Sequence, residues 1–266
     1  MRFRLIALDV DGTLLNDHHE LTPRVREAVR AAAQQGAEIV LCTGRGPTST
    51  LPVLEELGLA GTMITHNGSA VVDSKTRNVL QDTTIGHDQA QRYISFFKER
   101  GIHYDMNTAF ELFVEEMKED AAQMYHKMMA RPVIRGNDEG LPEHLVKMSV
   151  FAPKQVLDDV EKEWSGWLHE LQTIRSGDNF IDVQHLQANK GQALERLAAM
   201  KGIDREHILA MGNYYNDTGM LAFAGWGIAM DNSPAEVKAI ANEVTASNNE
   251  DGVAQAIERL VLAARY

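Results

Sequence analysis

The sequence predicts an α/β fold: a doubly wound, mostly parallel sheet interrupted by an inserted α+β domain. Three observations lead there. An apolar run, Leu5–Leu8, is followed by a helical pattern and then by a second apolar run, Glu38–Cys42; strand, helix, strand in that order is a βαβ unit, which joins parallel strands. The alternation breaks down between about residues 85 and 186 and resumes at Asn189-Lys190-Gly191. The length, 266 residues, suits one large domain or two of ordinary size. The expected division is a first core part over 1–84, an insertion over 85–186 and a second core part over 187–266.

Leu5–Leu8 is short, apolar and bounded by turn residues, as a strand buried on both faces should be. Thr22-Pro23 reads as an N-cap with proline at the first helical position. Val25, Ala28, Val29 and Ala32 then share one face, and Gly36 ends the helix. Glu38–Cys42 is the second strand, residues 47–57 a further helix stopped by Gly58, and Thr62–Thr65 a third strand running into His66-Asn67-Gly68. Val71-Val72 and Val79-Leu80 flank a turn at 73–76 and read as a hairpin.

In the insertion, Ala90, Tyr93, Ile94 and Phe97 mark a helix ending at Gly101, followed by short strands over 102–106 and 110–114. A methionine-rich helix is expected around 119–130, a strand over 146–152, a tryptophan-containing helix over 154–170, and strands near 171–175 and 180–184. Met124, Met128 and Met129 suit either helix packing or an adaptable binding surface. The second core part then supplies a helix to Lys201, a strand over 207–211 leading into Gly212-Asn213-Tyr214-Tyr215-Asn216-Asp217, a strand over 226–230, and helices near 234–241 and 250–264.

Composition narrows the function. At 44% hydrophobic and 24% charged residues the chain reads as globular. No apolar run approaches the roughly 18 residues of a membrane span, and Met1-Arg2-Phe3-Arg4 does not lead into a signal-peptide pattern. The single cysteine, Cys42, has no partner for an internal disulfide, which fits a reducing cytoplasm. It reads as a small buried strand residue rather than a nucleophile. A formal net charge of −12 argues against general nucleic-acid binding, which needs a basic footprint. An anionic substrate would have to be drawn in by local cations.

The chemistry concentrates after the first strand. If the chain stays extended through residues 9–11, Asp9 and Asp11 point to one side. Two carboxylates that close do not both ionise readily: either one keeps its proton or a cation sits between them. A fixed carboxylate can attack phosphorus, Mg²⁺ can bridge it to phosphate oxygens, and a protonated neighbour can serve the leaving group. An acidic turn after a strand is the plainer reading of this stretch alone. Three further polar clusters also follow strands or open helices of the same domain: Thr43-Gly44-Arg45, Lys190, and Asn213 with Asn216 and Asp217. In an open parallel sheet, ligands bind outside the carboxyl ends of the strands, so the four clusters can converge.

Taken together, Asp9-Val10-Asp11-Gly12-Thr13-Leu14-Leu15, Thr43-Gly44-Arg45, Asn67-Gly68, Asn189-Lys190-Gly191, Asn216-Asp217 and the late Asn248-Asn249-Glu250-Asp251-Gly252-Val253-Ala254 resemble the haloacid dehalogenase superfamily, specifically its Cof-type phosphatases of class IIB. The resemblance covers the α/β domain; in the insertion it is one of position and length, since this class carries its α/β cap between the second and third motifs. It implies a Rossmann-like core with Asp9 as nucleophile and Asp11 as general acid and then base. Mg²⁺ would be held by the Asp9 carboxylate, the Asp11 carbonyl and Asn213. Thr43, Gly44 and Lys190 would bind phosphate, with Asn216 on substrate or phosphate and Asp217 orienting Lys190 or a metal-bound water.

For Arg45, a substrate contact at the mouth and a structural salt bridge are both open. Asn67 is expected to fix a loop, and none of the ten histidines is assigned. Two departures stand out. The family's acidic metal ligand is Asn213 here, and its Met-Gly-Asn stretch is Met230-Asp231-Asn232, which would put an acid near the site. The implied activity is Mg²⁺-dependent hydrolysis of a small phosphorylated metabolite such as a sugar phosphate or flavin-related phosphate, with specificity in the cap. The alternatives are a phosphomannomutase-like phosphotransferase and a ligand-binding protein that has lost turnover through Asn213. No nucleic-acid or membrane partner is expected, and the oligomeric state is left unassigned.

Overall fold

The computed structural model describes residues 2–127, 130–136 and 139–263. The first part of the chain forms β1 (Leu5–Leu8), α1 (Pro23–Gln34), β2 (Glu38–Cys42), α2 (Pro47–Glu56), β3 (Thr62–Thr65), β4 (Ala70–Asp73) and β5 (Val79–Asp82). The insertion supplies α3 (His87–Glu99), β6 (His103–Asn107), β7 (Leu112–Val114), α4 (Glu119–Lys127), β8 (Val133–Ile134), β9 (Lys147–Phe151), α5 (Lys154–Trp164), β10 (Leu171–Gly177) and β11 (Phe180–His185). The chain closes with α6 (Lys190–Lys201), β12 (Ile208–Gly212), α7 (Thr218–Phe223), β13 (Trp226–Ala229), α8 (Ala235–Ile240), β14 (Glu243–Val244) and α9 (Gly252–Ile257), which runs on into a π turn at Glu258–Leu262. Two compact units result: Met1–Gln81 with Asn189–Tyr266, and Asp82–Ala188.

In the first unit an eight-stranded sheet runs β14-β13-β12-β1-β2-β3-β4-β5. Its pairings from β14 to β3 are parallel and β4 turns back antiparallel on β3. Leu8 pairs with Leu41 on one side and Met211 on the other, so the carboxyl ends of β1, β2 and β12 lie level. Leu5 and Ala7 pack with Ala193, Leu194 and Leu197 of α6. Ile6 and Leu8 point the other way and are equally buried. A strand covered on both faces has no polar side to show, which is why it reads as an unbroken apolar run. Thr22 caps α1 as expected, its side chain accepting from the Val25 N–H.

The inserted unit is a six-stranded sheet in the order β10-β11-β9-β6-β7-β8, antiparallel apart from the β7–β8 pair. One face packs Tyr104, Met106, Met148, Val150, Ile181 and Val183 against Tyr93, Phe96 and Phe97 of α3 and Leu157, Val160 and Trp164 of α5. The other face carries His103, Asp105 and Asn107, all buried.

Several expectations shift at the edges. The tryptophan-containing helix ends at Trp164 rather than near 170, and the final helix divides into Gly252–Ile257 and the π turn. The two-residue strands β8 and β14 were too short to carry a period. Met124 is buried with Val114, Ala121 and Tyr125, so it packs a small core; Met128 and Met129 lie outside the described residues. Among the described residues no helix is long and apolar enough to cross a membrane.

Candidate active site

The site is built where β1, β2 and β12 end. Past Leu8 the chain stays in the sheet for one more residue, with the Asp9 N–H donating to the Met211 carbonyl at 3.0 Å. This fixes the Asp9 side chain at the sheet edge, almost completely buried. The chain then turns at Gly12, whose φ of +74° suits glycine, and where a Cβ would lie 2.4 Å from the Asn213 amide. The Leu14 and Leu15 N–H groups close the turn on the Val10 carbonyl.

Lys190 enters from the first turn of α6, whose N-cap Asn189 accepts from the Gln192 N–H at 2.8 Å. Its ammonium is fully buried and donates to Asp9 Oδ1 at 2.7 Å and to Asp217 Oδ1 at 2.6 Å. Asp217 turns its other oxygen to the backbone N–H groups of Asn213 (2.9 Å) and Tyr214 (3.0 Å), which closes the loop after β12. Gly68, at φ +96°, lets the loop after β3 lie against the start of α6; a Cβ there would meet the Asn189 carbonyl oxygen at 2.3 Å.

Burial pushes the Asp9 carboxyl up to about 7, and the charge of Asp217 adds to the effect while Lys190 and Thr13 oppose it. Burial also works against the charge on Lys190, but Asp217 and Asp9 outweigh it and hold the ammonium above its ordinary value. Two carboxylates share one cation here, so Asp9 holds its proton more tightly than an ordinary carboxyl unless a further cation joins them. Burial raises the Cys42 thiol far above its usual range, so it has no nucleophilic character.

The remaining expected residues are arranged unevenly. Thr43 is buried at the end of β2, and its hydroxyl accepts from the Arg45 N–H at 3.1 Å. Gly44 packs against Asn67, whose side-chain oxygen would be 2.9 Å from a Cβ at that position. Asn67 accepts from the Asn216 amide at 3.0 Å, so Asn216 ties two loops together while Asn67 fixes one. Arg45 forks onto Asp11, Nε to Oδ2 at 2.8 Å and Nη2 to Oδ1 at 2.5 Å. Of its two open readings, the salt bridge is the contact this structure contains.

Asp231 is exposed and paired with Lys238 at 2.8 Å. Some residues went unassigned in the sequence. His19 brings Nδ1 to 3.5 Å from Asp11 Oδ1. Asn232 donates to the Gly12 carbonyl at 2.8 Å and accepts from the Asn248 N–H, while the Asn248 amide holds the Leu15 carbonyl. The late Asn248-Asn249 stretch thus clamps the loop after β1, a role visible only once the chain ends meet.

Among the described residues no three His, Cys, Asp or Glu side chains gather as a metal site. Instead, one atom of the Asn213 amide lies 3.0 Å from the Asp11 carbonyl oxygen and 3.1 Å from Asp9 Oδ2. With the amide oxygen turned inward these groups offer three oxygens, one of them charged, a set that suits a hard cation such as Mg²⁺ with water and substrate completing its shell.

At these strand ends a buried lysine sits between two buried aspartates, so a carboxylate is held beside a fixed cation. The chain belongs to the haloacid dehalogenase-like hydrolase family, which it matches over residues 6–257, and is a phosphoric monoester hydrolase of the Cof type. It is 34% identical to YxeH of Bacillus subtilis, a protein named for phosphatase activity, with 98% of this chain and 99% of the relative covered. It is 30% identical to the 5-amino-6-(5-phospho-D-ribitylamino)uracil phosphatase YcsE of the same organism, over 97% and 96% of the two chains. A haloacid dehalogenase-like hydrolase from Bacteroides thetaiotaomicron superposes with a TM-score of 0.85 at 27% identity, covering 97% of this chain and 99% of that one.

Proposed function

We propose that this phosphatase hydrolyses the phosphomonoester of a small metabolite, dependent on Mg²⁺ and by way of a phosphoryl group carried on Asp9. The observation that carries the reading is the buried Asp9–Lys190–Asp217 line, with contacts of 2.7 and 2.6 Å. It holds one carboxylate at a sheet edge next to a cation that cannot leave.

Asp9 attacks phosphorus, the bond to the leaving oxygen breaks, and Asp11 gives that oxygen its proton. Asp11, now a carboxylate, takes a proton from water as the water attacks the phosphoryl group; phosphate departs and the Asp9 carboxylate is restored. Lys190 and Thr43 face the phosphoryl oxygens and offset their charge, with the Gly44 backbone beside them. Asp217 positions Lys190. Asp9, the Asp11 carbonyl and the Asn213 amide oxygen would hold Mg²⁺, which supplies further neutralisation of the phosphoryl charge. Both Asp11 oxygens accept from Arg45 in this structure, so in this reading that fork opens before Asp11 carries the proton it gives, and Asn216 acts through Asn67.

The relative named for a ribitylamino-uracil phosphate supports a substrate with a polyol phosphate arm. We assign the choice among such substrates to the inserted unit, and the protein to the cytoplasm.

Phosphate release from a panel of sugar, polyol and flavin-precursor phosphates, with and without Mg²⁺, tests this. The expected result is release that requires Mg²⁺ and favours one group of esters. Binding of inorganic phosphate with no turnover of any ester would instead support a ligand-binding protein.

A further inference from the structure

The Asn213 amide sits where three oxygens meet, and its place is fixed. The Asp217 carboxylate holds its backbone N–H at 2.9 Å, and Gly12 packs against the amide so closely that a Cβ would come within 2.4 Å. Within that place the amide has two orientations of nearly equal shape. With oxygen inward, that oxygen accepts from the Thr13 hydroxyl at 3.2 Å and faces the Asp11 carbonyl and Asp9 Oδ2, with no proton to share between those two. With nitrogen inward, the same position donates to the Asp11 carbonyl at 3.0 Å, to Asp9 Oδ2 at 3.1 Å and to Thr13 Oγ1 at 3.2 Å.

Asp9 is buried and Asn213 half-buried, and oxygens that face one another in such a place without a donor or a cation between them repel. The first orientation therefore suits a cation among these oxygens, and the second suits their satisfaction by the protein itself. An aspartate at this position has only the first.

We propose that Asn213 is a two-position ligand. Its nitrogen satisfies Asp9 and the Asp11 carbonyl when no metal is bound, and its oxygen joins them when Mg²⁺ arrives. This rests on the Mg²⁺ reading of the site given above. The site is thereby complete without metal, and Mg²⁺ binding has to displace an internal donor. Weak, readily reversible binding follows, with a fold that is indifferent to metal removal.

The test uses the wild-type protein with ¹⁵N-labelled asparagine and follows the Asn213 side-chain NH₂ signal, assigned through its own backbone, during titration with Mg²⁺ alone. The metal-free protein is expected to show this NH₂ protected from exchange, and Mg²⁺ to shift it and remove the protection. Melting in EDTA and in Mg²⁺ gives a second readout. Wild type should melt alike in both. Asn213→Asp should melt lower in EDTA, on the order of 5 °C, recover in Mg²⁺, and bind Mg²⁺ about tenfold more tightly as ligand charge increases.

If Mg²⁺ shifts the backbone amides of residues 9–13 while the Asn213 NH₂ stays still, the two-position amide is wrong and the metal reading stands. If neither moves, the Mg²⁺ reading falls, and this proposal with it.

Discussion

Asp9 in the first unit and Asp105 in the inserted one are both buried carboxylates raised by burial, to about 7 and about 6, yet they are held in opposite ways. Asp9 faces an ammonium at 2.7 Å that is itself gripped by a second buried carboxylate. Asp105 is held by neutral donors, the Asn107 amide at 2.6 Å and the Tyr125 hydroxyl at 3.0 Å, and His103 lies behind Tyr125 at 2.9 Å. The nearby Lys147 pairs with Asp182 at 3.5 Å. In this buried cluster the cation is the member that cannot be spared, because without it both carboxylates are left uncompensated. A carboxyl among neutral dipoles can be replaced by an amide. In the proposed function the first arrangement holds charge in place for chemistry, whereas the second ties strands and a helix together.

Asp9→Asn is expected to have the largest effect and to separate the two roles most sharply. Turnover should fall below detection, because an amide cannot accept the phosphoryl group, while the melting temperature should not drop, because one of two carboxylates on a single ammonium has gone. Measurable turnover in a folded Asp9→Asn protein would remove Asp9 from the chemistry.

Lys190→Met comes next. It leaves Asp9 and Asp217 buried together without their cation, which should cost about 3–5 kcal/mol of stability as well as activity. Urea unfolding compared with wild type measures it. A loss no larger than that of a surface lysine would mean that water reaches these carboxylates.

Asp105→Asn should have the smallest effect, confined to a pH window. The ordinary value of the carboxyl is 3.8 and the folded value about 6. Between them the folded protein keeps a proton that the unfolded chain has released. The contribution of this group to stability is therefore full below pH 3.8 and is lost as pH rises through about 6, by about 3 kcal/mol at most. Asp105→Asn should flatten this component and be at least as stable as wild type at pH 7. Unfolding followed at pH 4 and pH 7 in both proteins gives the difference directly. An Asp105→Asn protein that keeps the wild-type slope would show that Asp105 stays ionised throughout.

Much of the first unit could be read without a structure, because its signals are local. Leu5–Leu8, the Thr22-Pro23 cap and the apolar face of α1 follow from strand burial and helix periodicity, which act over a few residues. The inserted unit was less legible. β7 and β8 have three and two residues, below any useful period, and the buried polar line His103, Asp105, Asn107 reads in sequence as an ordinary exposed strand face.

What the sequence determined by itself was the residue types of the site and their order along the chain. The two carboxylates after β1, the lysine opening α6 and the asparagine–aspartate pair after β12 are chemical statements that need no coordinates, and parallel strand ends are where such groups gather. Tertiary structure decided their partners. Residues as distant in sequence as Asp9 and Lys190, Gly12 and Asn232, or Leu15 and Asn248 meet only when the sheet closes in its order. It also decided that Arg45 grips Asp11 and that Asp231 turns outward to Lys238. A charged side chain takes whichever opposite charge the fold brings within reach, and that distance is a property of the packed chain rather than of any stretch of it.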